Sequence, residues 1–149
     1  MKIYLGSDHR GFHLKKSVHD YLNKSGYVVF DVGDKVLNPD DDFPVFATKA
    51  VNKLLSDSDT NSRAILICGS GQGMVMAANR FRGIRAGLGW SKKAAKELRN
   101  DEDSNILALP AEVLENDPKK AYEIVDIWLS TPFANATRYI RRINELDNL

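Results

Sequence analysis

The stretch Ala64-Ile65-Leu66-Ile67-Cys68-Gly69-Ser70-Gly71-Gln72-Gly73-Met74 decides the fold of this chain. Its continuous run of five apolar residues, Ala64–Cys68, predicts a strand that is buried on both faces. The three glycines that follow permit a tight turn and a close approach of a ligand to the backbone. Residues 74–82 then have the pattern of a helix. This order of strand, glycine loop and helix places Cys68 at the carboxyl end of a strand.

The backbone amides from Ser70 to Gly73 are expected at or near the start of that helix. Amides there carry partial positive charge, which favours a thiolate and an oxyanion alike, so the stretch predicts an active site at Cys68. An ordinary junction of strand and helix has the same pattern, and a lone cysteine is often a small buried hydrophobe. This segment alone leaves both interpretations open. The glycine spacing does not match the dinucleotide fingerprint, and no Gly-Lys-Ser or Gly-Lys-Thr completes a phosphate loop.

Length and composition restrict the class of protein. A chain of 149 residues can bury one good core but not two, so we expect a single domain over residues 1–149. With 43% hydrophobic residues, 28% charged residues and a net charge of +1, a globular protein is indicated and a nucleic-acid partner that depends on bulk basicity is not. No apolar run or leader pattern indicates a membrane partner or secretion, and one cysteine gives no disulfide framework. We therefore expect a cytoplasmic protein.

Strand and helix patterns alternate along the whole chain. The predicted strands are Lys2–Gly6, Val28–Val32, Ala64–Cys68, Ile84–Leu88 and Ile106–Leu109. The predicted helices are Phe12–Asn23, one entered at Pro44 after an acidic loop, Met74–Arg82, Lys92–Leu98, Lys119–Leu129 and Phe133–Leu146. Because parallel neighbours require right-handed crossover helices, this alternation predicts an α/β fold with a five-stranded parallel sheet and helices on both faces.

Polar residues follow the predicted strands at the edge where such sheets bind ligands. The first strand runs into Ser7-Asp8-His9-Arg10-Gly11, and the third runs into the glycine loop. Since ligands bind beyond the carboxyl ends of strands, near the point where strand order reverses, we expect Asp8, His9 and Cys68 to share one edge. A histidine after a strand is also often a turn or cap residue, so His9 alone does not establish a site.

Five segments carry a resemblance to a known family: Gly6-Ser7-Asp8-His9-Arg10-Gly11-Phe12, Ile65–Gly73, Ala77-Ala78-Asn79-Arg80, Gly83-Ile84-Arg85-Ala86 and Ile124-Val125-Asp126-Ile127-Trp128-Leu129. In order and spacing they resemble the type B ribose-5-phosphate isomerases and the related galactose-6-phosphate isomerase subunits. The resemblance implies a Rossmann-like three-layer α/β/α sandwich, no metal or organic cofactor, and a homodimer or dimer of dimers with shared active sites. It also implies an aldose–ketose isomerase of the pentose phosphate pathway that converts ribose 5-phosphate to ribulose 5-phosphate through an enediolate.

The resemblance assigns roles to individual residues. Cys68 falls on the base that moves a proton between C1 and C2, and Ser70 takes the place of the usual threonine or serine. The amides of Gly69, Gly71 and Gly73 would hold the developing oxyanion, while Asp8 and His9 fall on a pair that contacts the sugar and its phosphate. A thiol has an ordinary pKa of about 8.5, and it becomes a useful base near neutrality if the start of the helix lowers that pKa.

Two arginines four residues apart in the last predicted helix, Arg138 and Arg142, match a pair that binds phosphate in the family. Their spacing puts them on one helical face, where like charges repel unless an anion lies between them. The resemblance implies that they reach the active site of the neighbouring subunit. Solvated surface arginines are the alternative, and Arg141 fits that description because it can pair with Glu145.

The chain departs from the family at the ring-opening end of the sugar. Asp101 and Glu102 replace a His-Asn pair, Glu112 replaces an arginine, and Phe43 replaces a tyrosine. An aspartate in the position of the ring-opening histidine cannot donate a proton at neutral pH unless its surroundings raise its pKa. The alternatives are therefore an isomerase, or isomerase subunit, for galactose 6-phosphate or allose 6-phosphate, or a non-catalytic phosphosugar-binding relative. Retention of Cys68 and its glycine loop favours an enzyme.

Overall fold

The computed structural model describes the whole chain, residues 1–149, and contains five strands, seven α-helices and one short 3-10 helix at His9–Gly11. The strands are β1 (Lys2–Ser7), β2 (Val28–Asp31), β3 (Arg63–Cys68), β4 (Ala86–Leu88) and β5 (Ile106–Pro110). The helices are α1 (Phe12–Lys24), α2 (Phe43–Ser56), α3 (Gln72–Ala78), α4 (Lys92–Asn100), α5 (Ala111–Leu114), α6 (Pro118–Ser130) and α7 (Thr137–Leu146). No helix is both long enough and apolar enough to cross a membrane.

The five strands form one parallel sheet in the order β2-β1-β3-β5-β4. The chain passes from β1 to β2 on one side and then crosses back to β3 on the other, so strand order reverses between β1 and β3. Ser7 is in register with Ile67, which brings the residues after them, Asp8 and Cys68, to the same level. Open α/β sheets bind ligands at such a reversal.

Side chains point alternately to the two faces of the sheet, and each face has its own hydrophobic core. Ile65 and Ile67 of β3 pack with α1, α4, α5 and α6 on one face of the sheet. Leu66 and Cys68 point to the other face and pack with α2 and α3. Helices therefore cover both faces, which confirms the predicted three-layer α/β/α sandwich with a five-stranded parallel sheet.

The elements differ from prediction mainly at helix ends. The helix predicted over residues 74–82 ends at Ala78, because the Asn79 amide side chain is used to tie the following turn to β4. Asn79 Nδ2 donates to the Ala86 carbonyl at 2.9 Å, and the Ala86 amide donates to Asn79 Oδ1 at 2.8 Å. The last helix begins at Thr137 instead of residue 133. The 3-10 turn and the four-residue α5 are too short to show a periodic pattern.

Helix α7 lies at the amino edge of the sheet and is largely uncovered. The Ala134 amide, just before α7, donates to the Asn100 carbonyl at 3.0 Å, and Arg85, just before β4, forms an ion pair of 3.2 Å with Asp147. Ile143 is the one residue of this strongly amphipathic helix that is buried. The helix is therefore attached to the body of the chain along a narrow stripe.

Candidate active site

Three segments meet at the carboxyl edge between β1 and β3: residues 8–11 after β1, residues 41–43 at the start of α2, and the glycine loop, residues 68–73. The first and third are in direct contact, since a Cβ on Gly11 would lie 2.5 Å from the Ile67 carbonyl oxygen. The Asp8 amide also donates to that oxygen, at 3.3 Å. The prediction that Asp8, His9 and Cys68 share one edge of the sheet is confirmed.

The glycine loop wraps around the Cys68 thiol. Cys68 is 5% exposed, and the Gly71 amide donates to Sγ at 3.2 Å. Gly71 has a φ of +76°, a left-handed conformation that favours glycine at this turn. The amides of Gly69 and Gly73 donate to no group of the chain. The loop therefore holds the thiol, and its two free amides can donate hydrogen bonds to an anionic oxygen of a ligand.

The pKa of Cys68 is raised by its surroundings. Burial raises the pKa of the thiol above its ordinary value, the amides of Met74 and Gly71 act in the opposite direction, and the nearby Asp8 carboxylate raises it further. The start of α3 does not lower the pKa overall, because desolvation in the core formed by α2 and α3 outweighs the amides. These surroundings favour the thiol form of Cys68 over the thiolate.

Asp8, like Cys68, is a buried titratable residue at this edge of the sheet. Its side chain caps the 3-10 turn, since Oδ1 accepts from the Gly11 amide at 3.1 Å. Burial raises the pKa of the Asp8 carboxyl, although the Gly11 hydrogen bond opposes that effect. Asp8 is therefore fixed in orientation, with its backbone bonded to the end of β3.

His9 is held by Asp41, a residue that the sequence pattern does not single out. Asp41 Oδ1 accepts from the His9 amide at 3.0 Å and faces His9 Nδ1 at 2.6 Å. Ligand atoms of Asp8, His9 and Asp41 lie within 4.8 Å of one another, a spacing that could hold a metal ion. The His9 Nδ1 atom is already engaged by the Asp41 carboxylate, however. Asp41 is one of three consecutive aspartates, and no sequence signal tells which of them turns inward.

Two further side chains cover the glycines of the loop. The Arg10 guanidinium is bonded to Glu112 and lies on Gly69, where a Cβ would be 2.7 Å from Arg10 Cζ. The Phe43 ring lies on Gly73, where a Cβ would be 2.8 Å from Phe43 Cζ. Ser70 is exposed, and its Oγ accepts from the Gln72 amide at 3.3 Å. Arg10, like Asp41, is a neighbour of the site that sequence reasoning missed.

Asp101, Arg138 and Arg142 lie at the opposite edge of the sheet. Helix α4 starts beyond the carboxyl end of β4 and runs back to the amino edge, where Asp101 caps it. Arg138 Nη2 donates to Tyr139 Oη at 2.8 Å, which raises the pKa of Arg138, and the charge of Asp101 adds to the effect. Arg142 is exposed. Cys68 of the same chain lies at the carboxyl edge, and a strand is typically about 17–20 Å long, so this group is remote from the thiol.

Comparison with known proteins identifies relatives over the whole length. The sequence profile of the ribose/galactose isomerase family matches residues 3–146. Ribose-5-phosphate isomerase B of Mycolicibacterium paratuberculosis is 36% identical over 98% of this chain and 89% of its own length. The structure of a ribose 5-phosphate isomerase from Thermotoga maritima superimposes with a TM-score of 0.92 at 40% identity, covering 99% of this chain and 98% of that one. Ribose-5-phosphate isomerase B from Mycoplasma genitalium, with bound ribulose-5-phosphate, superimposes with a TM-score of 0.91 at 34% identity, covering 99% and 94%.

Proposed function

The chain belongs to the ribose/galactose isomerase family, and from this we propose that it is an enzyme that interconverts ribose 5-phosphate and ribulose 5-phosphate. The observation that carries the proposal is the meeting of Asp8, His9 and Cys68 at the strand-order reversal, with the thiol inside a loop that has free amides. Relatives with the same reaction in their names match nearly all of the chain.

In the proposed mechanism, Cys68 is the base. The Cys68 thiolate takes the proton from C2 of the open-chain aldose, and the electron pair of that bond forms the C1–C2 double bond of an enediolate. The proton of the C2 hydroxyl moves to O1, which carried the negative charge after the first transfer. The same thiol then returns the carbon-bound proton to C1, the double-bond pair forms the new C1–H bond, and the carbonyl is left at C2. Negative charge on the substrate oxygen is stabilised by Ser70 and the loop amides, notably those of Gly69 and Gly73, which act most strongly where the charge develops. Asp8 and His9 bind the sugar.

We place the phosphate and ring-opening residues on a second copy of the chain. Arg138, Arg142 and Asp101 belong to the same reaction only if another subunit brings them to Cys68, because one chain holds them at the far edge of its sheet. The exposure of nearly all of α7 supports this arrangement. A two-fold dimer would then contain two shared active sites.

A second candidate is isomerisation of a different aldose phosphate, such as allose 6-phosphate or galactose 6-phosphate. The observation that favours it is the acidic Glu112, which pairs with Arg10 beside the glycine loop. Together with Asp101 at the position of the family histidine, this changes the charges that surround the sugar. Proton transfer at Cys68 would be the same in both candidates.

The deciding experiment measures ketose formation by the purified protein from ribose 5-phosphate, allose 6-phosphate and galactose 6-phosphate. Ribose 5-phosphate should give the highest kcat/KM, and Cys68→Ala should lower kcat by about two to four orders of magnitude while phosphosugar binding persists. A faster reaction with a six-carbon sugar would select the second candidate. Binding of all three sugars without turnover would identify a non-catalytic relative instead.

A further inference from the structure

We propose that Asp41 is a positioning residue. It fixes the orientation of the His9 ring and leaves the Nε2 atom of His9 free to bind the substrate. The inference rests on the proposed function, because it assigns His9 a substrate contact. It concerns how this chain holds that histidine.

The first argument is the double contact made by one buried oxygen. Asp41 Oδ1 accepts from the His9 amide at 3.0 Å and lies 2.6 Å from Nδ1 of the same residue. One contact fixes the backbone after β1, and the other fixes the rotation of the ring about its side-chain bonds. The Asp41 side chain is 6% exposed and that of His9 is 30% exposed, so the carboxylate lies behind the ring and the ring is reachable from solvent.

The second argument is the proton that this contact implies. A carboxylate only accepts hydrogen bonds, so the partner atom Nδ1 must carry a hydrogen whether the ring is neutral or charged. Nε2 has no partner in the chain and is the nitrogen left for a ligand. It can accept from a sugar hydroxyl when the ring is neutral and donate to a phosphate oxygen when the ring is protonated.

The third argument is the second oxygen of the same carboxylate. Asp41 Oδ2 is buried and has no hydrogen-bond partner, whereas buried polar atoms are ordinarily bonded. The Asp41 side chain therefore bonds to no residue other than His9. Its neighbours Asp40 and Asp42 are exposed and do not contact His9, so the inward turn is specific to Asp41.

Nitrogen NMR of the histidine rings tests the tautomer directly and does not depend on catalysis. In protein with labelled histidine, we expect His9 to hold its proton on Nδ1, and we expect Asp41→Ala to shift the population toward the Nε2–H form. Asp41→Asn keeps an acceptor and should retain much of the Nδ1–H form. Asp40→Ala removes the same charge from the same loop and should leave the His9 signals unchanged. The signals are assigned against His9→Gln, since His13 and His19 also contribute. A His9 tautomer that is the same in Asp41→Ala and the natural protein would overturn the proposal.

A double-mutant cycle then tests whether Asp41 acts through His9. A misplacement of about 1 Å can cost about 100-fold, so Asp41→Ala should lower kcat/KM for ribose 5-phosphate by up to that factor, with recovery in Asp41→Asn. In a His9→Ala background the same Asp41 change should have no further effect. Equal losses in both backgrounds would show that Asp41 acts independently of His9 and contradict the proposal. If the natural protein turns over no phosphosugar, the proposed function fails, and binding of ribulose 5-phosphate replaces kcat/KM as the quantity compared in the cycle.

Discussion

At the scale of single residues, the proposed chemistry depends on Cys68, which is buried beside Asp8 and has a raised pKa for that reason. Asp8, His9 and Cys68 could be placed together because each follows a strand, and the carboxyl ends of parallel strands meet at one edge. The pKa of Cys68 could not be predicted, because a pattern of strand, loop and helix does not show how deeply the thiol is buried. Asp41 was missed because its contact with His9 joins two loops far apart in sequence.

The raised pKa of Cys68 gives a prediction for pH dependence. If Cys68 is the base, as proposed, it is active only when deprotonated. Its pKa is raised above the ordinary value, so kcat/KM should increase with pH well beyond neutrality. The measurement is a pH–rate profile between pH 6 and about 10, with protein stability checked at each point. A profile that is already flat at pH 6 would mean that the thiolate is stabilised far more than the free protein indicates.

At the scale of elements, the five strands were predicted to within about two residues at each end. Their continuous apolar runs reflect burial on both faces, which is a property of the sheet as a whole. Helix ends were predicted less well, since they depend on particular contacts such as the pairing of Asn79 with Ala86. The position of α7 at the amino edge could not be derived from its periodicity, which gives a face but not a location.

Contact between the 3-10 turn and β3 predicts that Gly11→Ala damages the site. The added Cβ would lie 2.5 Å from the Ile67 carbonyl oxygen, and both elements present backbone there, so the turn that carries Asp8 and His9 must move. We expect a loss of about 1–3 kcal/mol in stability together with a lower kcat/KM. The control is Gly26→Ala, which has a φ of +85° but no neighbour within 4 Å, and which should lose stability with unchanged kcat/KM. Unchanged kinetics in Gly11→Ala would show that the turn is free to shift.

At the end of α2, Asp57 links that helix to β1. We expect these contacts to stabilise the fold at neutral pH and to be lost in acid. Its carboxylate accepts from Lys2 Nζ at 2.8 Å, Tyr4 Oη at 2.8 Å and Ser62 Oγ at 2.7 Å. These hydrogen bonds, that from Lys2 foremost, hold the pKa of Asp57 well below its usual range. A carboxyl whose pKa is lowered on folding stabilises the protein above its unfolded pKa, and the contribution is lost as pH falls below about 4.

Asp57→Asn should therefore lower the Tm at neutral pH, and the difference from the natural protein should shrink in acid. Thermal unfolding followed by circular dichroism across this pH range is the measurement. The exposed Asp20→Asn is the control and should unfold like the natural protein at every pH. A Tm difference for Asp57→Asn that is the same at all pH values would indicate a packing effect instead of a charge effect.

At the scale of the whole molecule, the proposed shared site predicts complementation between two inactive variants. Cys68→Ala and Arg142→Ala each damage a different half of the site. After unfolding and refolding of an equal mixture, half of the dimers contain one copy of each variant, and one of their two sites has both halves intact. We expect about a quarter of the natural activity to return. Either variant refolded alone is the control, and no recovery in the mixture would place both halves of the site in one chain.

Because α7 and Cys68 lie far apart within one chain, turnover in the proposed shared site also depends on the equilibrium between single chains and dimers. If every site needs two copies, a folded but solitary chain has no complete site, and specific activity must fall when the protein is diluted below its dissociation constant. Substrate would oppose that fall, because a phosphosugar that contacts both copies favours their association. The turnover rate per chain would therefore depend on the enzyme concentration. In a cell that makes little of this protein, a further decrease in its concentration would reduce the flux through the reaction by a larger factor than it reduces the amount of protein.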